Sequence, residues 1–219
     1  MAISRDIPAN ATANGITSVT TLPAHNAGDF ILGIAFRDGN TTPPTIPVGW
    51  NVIDNSTGAN SCSIAAGYLI AASSSEVSGT WSSATTVIFA VYSGVDTSTT
   101  FAGGVTQSGG SGTTVTYGTL TMSNTTGTSW VVAFGGHRSA NTSISNSGSE
   151  PTGLTLISTA EDATDEAGMF DSTAGVTSYT TNNVSVGGTS SGWRTIVLEL
   201  QAAVASTGVV RHGMLMGMG

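Results

Sequence analysis

One strand pattern is written twice along this chain, and that recurrence limits the fold more than any other feature. Phe30-Ile31-Leu32-Gly33-Ile34-Ala35-Phe36 follows Gly28-Asp29, and Trp130-Val131-Val132-Ala133-Phe134 follows Thr128-Ser129, placing Ser129 at an offset of 100 from Asp29. The larger side chains alternate in both copies: Phe30, Leu32, Ile34 and Phe36 in the first, Trp130, Val132 and Phe134 in the second. Such alternation marks a strand with one face against a core.

Further blocks keep the same order. Arg37-Asp38-Gly39-Asn40-Thr41 matches His137-Arg138-Ser139-Ala140-Asn141, Pro47-Val48-Gly49-Trp50 matches Pro151-Thr152-Gly153-Leu154, and Ala66-Gly67-Tyr68 matches Ala167-Gly168-Met169. The closing strands, Thr86-Val87-Ile88-Phe89-Ala90-Val91-Tyr92 and Arg194-Thr195-Ile196-Val197-Leu198-Glu199-Leu200, align at an offset of 108. In the Pro-x-Gly blocks, proline sets the turn, glycine permits the bend and an apolar residue opens the next strand. Thr-rich alternating segments at 16–22 and 115–122 precede the two copies.

About four strands per copy are too few to shield both faces of a sheet, so the copies are expected to pack on each other. The expected fold is all-β, a β-sandwich or jelly roll built from two internally repeated halves. Residues 1–100 form the first half, 101–112 a Gly/Ser-rich connection, 113–201 the second half and 202–219 a tail or arm, with a short helical turn at 202–206. Composition agrees, because 35 Thr suit the exposed face of a pleated strand, while 29 Ser and 29 Gly break helices and fill turns.

Charge and motifs narrow the function classes. The five basic residues are Arg5, Arg37, Arg138, Arg194 and Arg211, spread singly through a chain of net charge −8. Nucleic-acid binding needs clustered cations and is not expected. Without lysine there is no Schiff-base chemistry. Residues 1–10 carry no apolar signal-peptide run, and no apolar run reaches membrane-span length. Cys62, the single cysteine, reads as a core filler, and His25, His137 and His212 as turn or tail residues. The sequence holds no Walker loop, His-Glu-x-x-His or Cys-x-x-Cys, and its one Gly-x-Ser-x-Gly run, Gly188-Thr189-Ser190-Ser191-Gly192, would be a nucleophile elbow only between a strand and a helix, which this composition does not favour. No catalytic residue, cofactor or metal is therefore assigned. The one oxygen-rich cluster, Glu161, Asp162, Asp165 and Glu166, has ligand types that suit Ca²⁺, but it lacks EF-hand spacing and a central glycine and reads first as a solvated acidic loop.

Two features carry binding readings. Trp81, in Gly79-Thr80-Trp81-Ser82-Ser83, sits where a turn edge would present a ligand-facing aromatic ring. Met214, Met216 and Met218 would project to one side of an extended tail, an apolar row suited to a neighbour's groove, as an assembly arm.

Taken together, Ala27-Gly28-Asp29-Phe30-Ile31-Leu32, Pro47-Val48-Gly49-Trp50 and Val91-Tyr92-Ser93-Gly94-Val95-Asp96 resemble a family of β-sandwich proteins common among tailed-bacteriophage virion genes. The resemblance covers roughly residues 14–201, and its motifs are structural rather than catalytic. It implies a non-enzymatic virion protein, made in the bacterial cytoplasm and displayed on the particle surface. The favoured role is a capsid decoration (cement) protein, a homotrimer partnered by the major capsid protein; the alternative is a receptor- or glycan-binding module of a tail or head fibre. If the methionine row is an assembly arm, deleting residues 209–219 will weaken assembly in a sedimentation assay; unchanged assembly refutes it.

Overall fold

The computed structural model describes residues 2–14, 22–97, 101–139, 144 and 150–204. Twelve strands and no helix occur among them: β1 (Ser4–Asn14), β2 (Phe30–Asp38), β3 (Asn51–Asp54), β4 (Cys62–Ile70), β5 (Thr86–Ser93), β6 (Val105–Gly112), β7 (Thr114–Tyr117), β8 (Trp130–His137), β9 (Thr155–Glu161), β10 (Glu166–Asp171), β11 (Asn182–Ser185) and β12 (Ser191–Leu200). They form two five-stranded antiparallel sheets, ordered β1-β5-β2-β4-β3 and β6-β12-β8-β10-β9, and a small sheet of β7 and β11. Counted within each half, the two large sheets have the same strand order. Each sheet comes from one contiguous half, so the chain forms a sandwich in which strands do not alternate between sheets as in a jelly roll.

The alternation seen in sequence chooses the faces. Phe30, Leu32, Ile34 and Phe36 of β2 meet Trp130, Val132 and Phe134 of β8 in one core, with Ile88, Ala90, Tyr92, Ile196, Leu198 and Leu200 from the adjoining strands. In this core β1 and β5 lie over β9 and β10, β2 over β8, and β4 over β12. The opposite faces are covered too. Ile31, Ala35, Phe89 and Val91 lie beneath Leu22, Trp81 and Ala84. Val131, Ala133 and Val197 lie beneath Val115 and Tyr117 of the β7–β11 layer, with Leu120, Ile144 and Tyr179. Central strands covered on both faces need near-continuous apolar runs, which β2, β5 and β8 have.

Matched blocks take matched geometry. Phe30 pairs with Tyr92 in one sheet and Trp130 with Leu200 in the other, as offsets of 100 and 108 require. Trp50 N–H donates to Pro47 C=O at 3.2 Å and Leu154 N–H to Pro151 C=O at 2.9 Å, with Gly49 and Gly153 at φ +93° and +80°. These are type II turns, whose third residue requires positive φ and hence glycine. The next strand departs by two residues: Gly67 pairs with Gly33, but Gly168 pairs with Gly135 rather than Ala133. A two-residue slip preserves the face.

Three expectations are corrected. Residues 105–112, expected as a connection, form β6, because β12 supplies a full ladder and the glycines leave room for the Trp193 and Arg194 side chains. Ala202, expected in a helical turn, forms an extended bridge to Val95, and Ala203 N–H donates to Gly94 C=O at 2.8 Å. Trp81 does not face a ligand. It is fully buried over the paired Gly33 and Gly67, where a Cβ on Gly33 would stand 2.6 Å from its ring, and its edge meets Trp50 and Phe89. The expected strand at 16–22 falls outside the described residues except for Leu22, and Met214, Met216, Met218 and His212 also lie outside. Trp81→Ala will leave a cavity no neighbour can fill and destabilise the fold by about 3–5 kcal/mol in urea unfolding; a loss under about 1 kcal/mol would contradict this packing.

Candidate functional site

The polar groups with chemical capacity gather where the sheets meet. Arg5 of β1 donates from Nε to Asp171 Oδ2 of β10 at 2.7 Å, with the carboxylate fully buried. Tyr92 of β5 donates its hydroxyl to the same oxygen at 3.3 Å, and the Thr173 N–H donates to Asp171 Oδ1 at 3.2 Å. Burial raises the Asp171 carboxyl above its usual range despite the opposing pull of Arg5, and it raises the Tyr92 phenol as well. Nearby, Arg138, just after β8, pairs with Asp38 at the end of β2, and the Thr85 hydroxyl donates to Asp165 Oδ2. These four contacts join one sheet to the other.

The acidic cluster is a hairpin rather than a ligand cage. Glu161 and Glu166 are cross-strand partners in β9 and β10, and Asp162 Oδ1 accepts from the Thr164 N–H and hydroxyl and from the Asp165 N–H. Burial alone would raise the Asp162 carboxyl, but these donors outweigh it and hold the group below its usual value. Asp165 points inward, fully buried, with Oδ1 lacking a partner. Burial pushes its carboxyl up to about 7, and the Asp162 and Asp38 carboxylates add to the shift while Thr85 opposes it. Among the described residues no three His, Cys, Asp or Glu converge as metal ligands, so the oxygen set considered for Ca²⁺ does not assemble.

The other reactive types are held by packing or backbone. Cys62 is buried, donates from Sγ to Ala59 C=O at 3.3 Å and has its thiol pushed up to about 12 by burial, which leaves it an inert thiol. His25 has Nδ1 2.6 Å from Pro23 C=O and accepts at Nε2 from the Glu76 N–H at 3.2 Å, which orients the ring and ties two loops. His137 is the last residue of β8 rather than a turn residue; it is fully buried, with Nε2 2.9 Å from Gly112 C=O. Glu199, also fully buried, accepts from the N–H groups of Gly104, Ser123 and Asn124 at 2.7–3.1 Å.

One cleft, of about 410 Å³, is lined by Ala2, Ile3, Gly127, Thr128, Trp130 and Gly175. None of these side chains ionises, so the lining offers apolar contact, the Thr128 hydroxyl and backbone hydrogen bonds but no acid, base or thiol. Sequence reasoning missed the inter-sheet contacts because their partners are 166, 100, 80 and 79 residues apart. One signal was available: Asp38 and Arg138 stand at the repeat offset of 100.

The Asp165 carboxyl makes stability depend on pH. Its folded-state value is raised, so between about pH 4 and pH 7 the folded chain binds more protons than the unfolded one. Stability will therefore fall as pH rises through this window, by at most about 1.4 kcal/mol per unit from this group, and level off above it. Asp171 contributes with the same sign. Asp165→Asn will flatten part of this slope and stabilise the chain at pH 8, read from urea midpoints at pH 5 and pH 8; an unchanged slope contradicts a neutral buried carboxyl.

Compared with protein-family models, curated proteins and solved structures, the chain shows no match.

Proposed function

We propose that the chain is a non-enzymatic structural component of a tailed-phage particle, a decoration protein on the outer surface of the head. The observation that carries this reading is the use of its buried ionisable groups. Arg5, Asp171, Asp38, Arg138 and Asp165 each join the two sheets, and Glu199 and His25 hold loops by backbone hydrogen bonds. Groups so engaged brace a scaffold; they do not surround a reacting atom. The sequence resemblance supports the virion setting, and a hydroxyl-rich chain of net charge −8 suits a displayed protein that must resist aggregation.

The same reading assigns a contact surface. Val48, Val52 and Val77 are exposed large apolar residues, at 105%, 54% and 60% exposure. Pro47 precedes Val48 in its turn and packs beside Gly79, two residues after Val77, while Val52 lies on the edge strand β3. Such a patch would bury apolar area against a capsid subunit and stabilise the assembled shell by binding it in preference to its ruptured state.

Copy number tests the role. Quantitative mass spectrometry will find hundreds of copies per particle; a handful would indicate an appendage and overturn decoration. Val48→Asp with Val77→Asp will lower incorporation while shifting monomer stability by under about 0.5 kcal/mol, since both sites are exposed; unchanged incorporation removes this patch as the contact.

A further inference from the structure

Each large sheet ends in two edge strands, and three of the four carry features that discourage further pairing. β1 includes Pro8 in its sequence and shifts register between Arg5 and Asn10. β3 has four residues, ends in Asp54 and shifts register before it. β9 ends in Glu161 and shifts register opposite Met169 and Phe170. Charges, proline, bulges and shortness are the usual ways of blunting an edge.

β6 has none of these. Val105-Thr106-Gln107-Ser108-Gly109-Gly110-Ser111-Gly112 contains no charge and no proline, and pairs with β12 over eight consecutive positions without a shift. Among the described residues no strand pairs with its other side. The open positions follow from the ladder. Gly104 C=O accepts from Glu199 N–H at 2.9 Å, which places 104 at a bonded position, so 106, 108 and 110 address β12. Val105, Gln107, Gly109 and Ser111 therefore turn their N–H and C=O groups outward.

We infer that this edge is a self-association surface, where β6 of one copy pairs antiparallel with β6 of a second copy about a two-fold axis through Ser108. The strand is complementary to itself in that arrangement. Val105 meets Ser111, Thr106 meets Gly110, Gln107 meets Gly109 and Ser108 meets its own counterpart, so no two large side chains of β6 oppose each other, although Arg194 and Trp193 of the neighbouring strand cover Gly109 and Gly110 on their faces. The four outward residues then satisfy one another's backbone groups, and two five-stranded sheets become one of ten strands. Charge points to the same place: copies of net charge −8 repel, and β6 brings no carboxylate to the contact, while the Arg194 guanidinium of β12 beside it is held within the same copy by donating to Gln107 Oε1 at 2.6 Å. The pairing is isologous and closed, a dimer rather than the trimer that the family resemblance implies. It does not depend on the virion reading.

A contact made mainly by one strand pair is smaller than a standard stable interface, so the dimer will depend on concentration. The test is sedimentation velocity of the purified chain from about 1 μM to about 1 mM, beside Ser111→Pro and Ser111→Lys. Proline at 111 removes an outward N–H and leaves the β12 ladder intact, while lysine places charge on the exposed edge. The wild type will move from 21.9 kDa towards twice that mass, and both variants will stay monomeric with unchanged circular dichroism. Hydrogen exchange at 105, 107, 109 and 111 will slow with wild-type concentration. A wild type that stays monomeric or forms trimers, or a folded variant that dimerises as the wild type does, overturns the proposal; if one variant misfolds, the other and the exchange pattern decide.

Discussion

The structure depends on the packing of β2 against β8. Every other strand of the two large sheets is held, directly or through one neighbour, to a member of this pair, and the large rings of the inner core come from the inward faces of the two sheets. The pair meets in a particular way. The Phe36 ring lies against Gly136, where a Cβ would collide, and just beyond it Asp38 meets Arg138. Both contacts join residues at an offset of 100, so positions that the sequence comparison sets side by side touch each other, as equivalent residues do beside a two-fold axis. Within one chain this reproduces the logic of an isologous interface: a small residue is needed where its large counterpart arrives, and an acid where a base arrives.

The inter-sheet polar contacts complement the apolar core in specificity more than in stability. Removing Arg5 and Asp171 from water has a desolvation cost that their attraction offsets only in part, which is why the Asp171 carboxyl remains raised beside a guanidinium. Apolar faces can slide over one another at little cost. Moving one sheet by a residue pair would leave Asp171 buried without Arg5 or Tyr92, and Asp38 without Arg138. The contacts lie towards different strands of the sandwich, and together they hold one alignment of the sheets.

Much of this was readable from the chain. Period-two alternation in β2 and β8 gave the inner and outer faces, and the two Pro-x-Gly turns carry their geometry in their residues. Other elements hid their cause at long range. β6 is five small residues in eight and resembles a linker, because a ladder supplied by residues 191–198 makes it a strand. Trp81 lies among Gly, Thr and Ser, the neighbours of an exposed ring, yet what buries it is a pair of glycines on β2 and β4. Local composition reports turn chemistry well; it says little about what a distant strand will bring.

The position of β12 has a consequence for how the chain is made. It is the last described strand in sequence, yet it lies between β6 and β8 rather than at an edge. During synthesis β6 emerges some eighty residues before the strand that pairs with it, which at about 5–20 residues per second is several seconds. For that interval the first sheet has its order complete but no second sheet over its apolar face, and β6 is a bare strand on both sides. Folding of the two sheets therefore closes from the interior once β12 has emerged, and until then β6 relies on the low stickiness of a threonine-, serine- and glycine-rich segment.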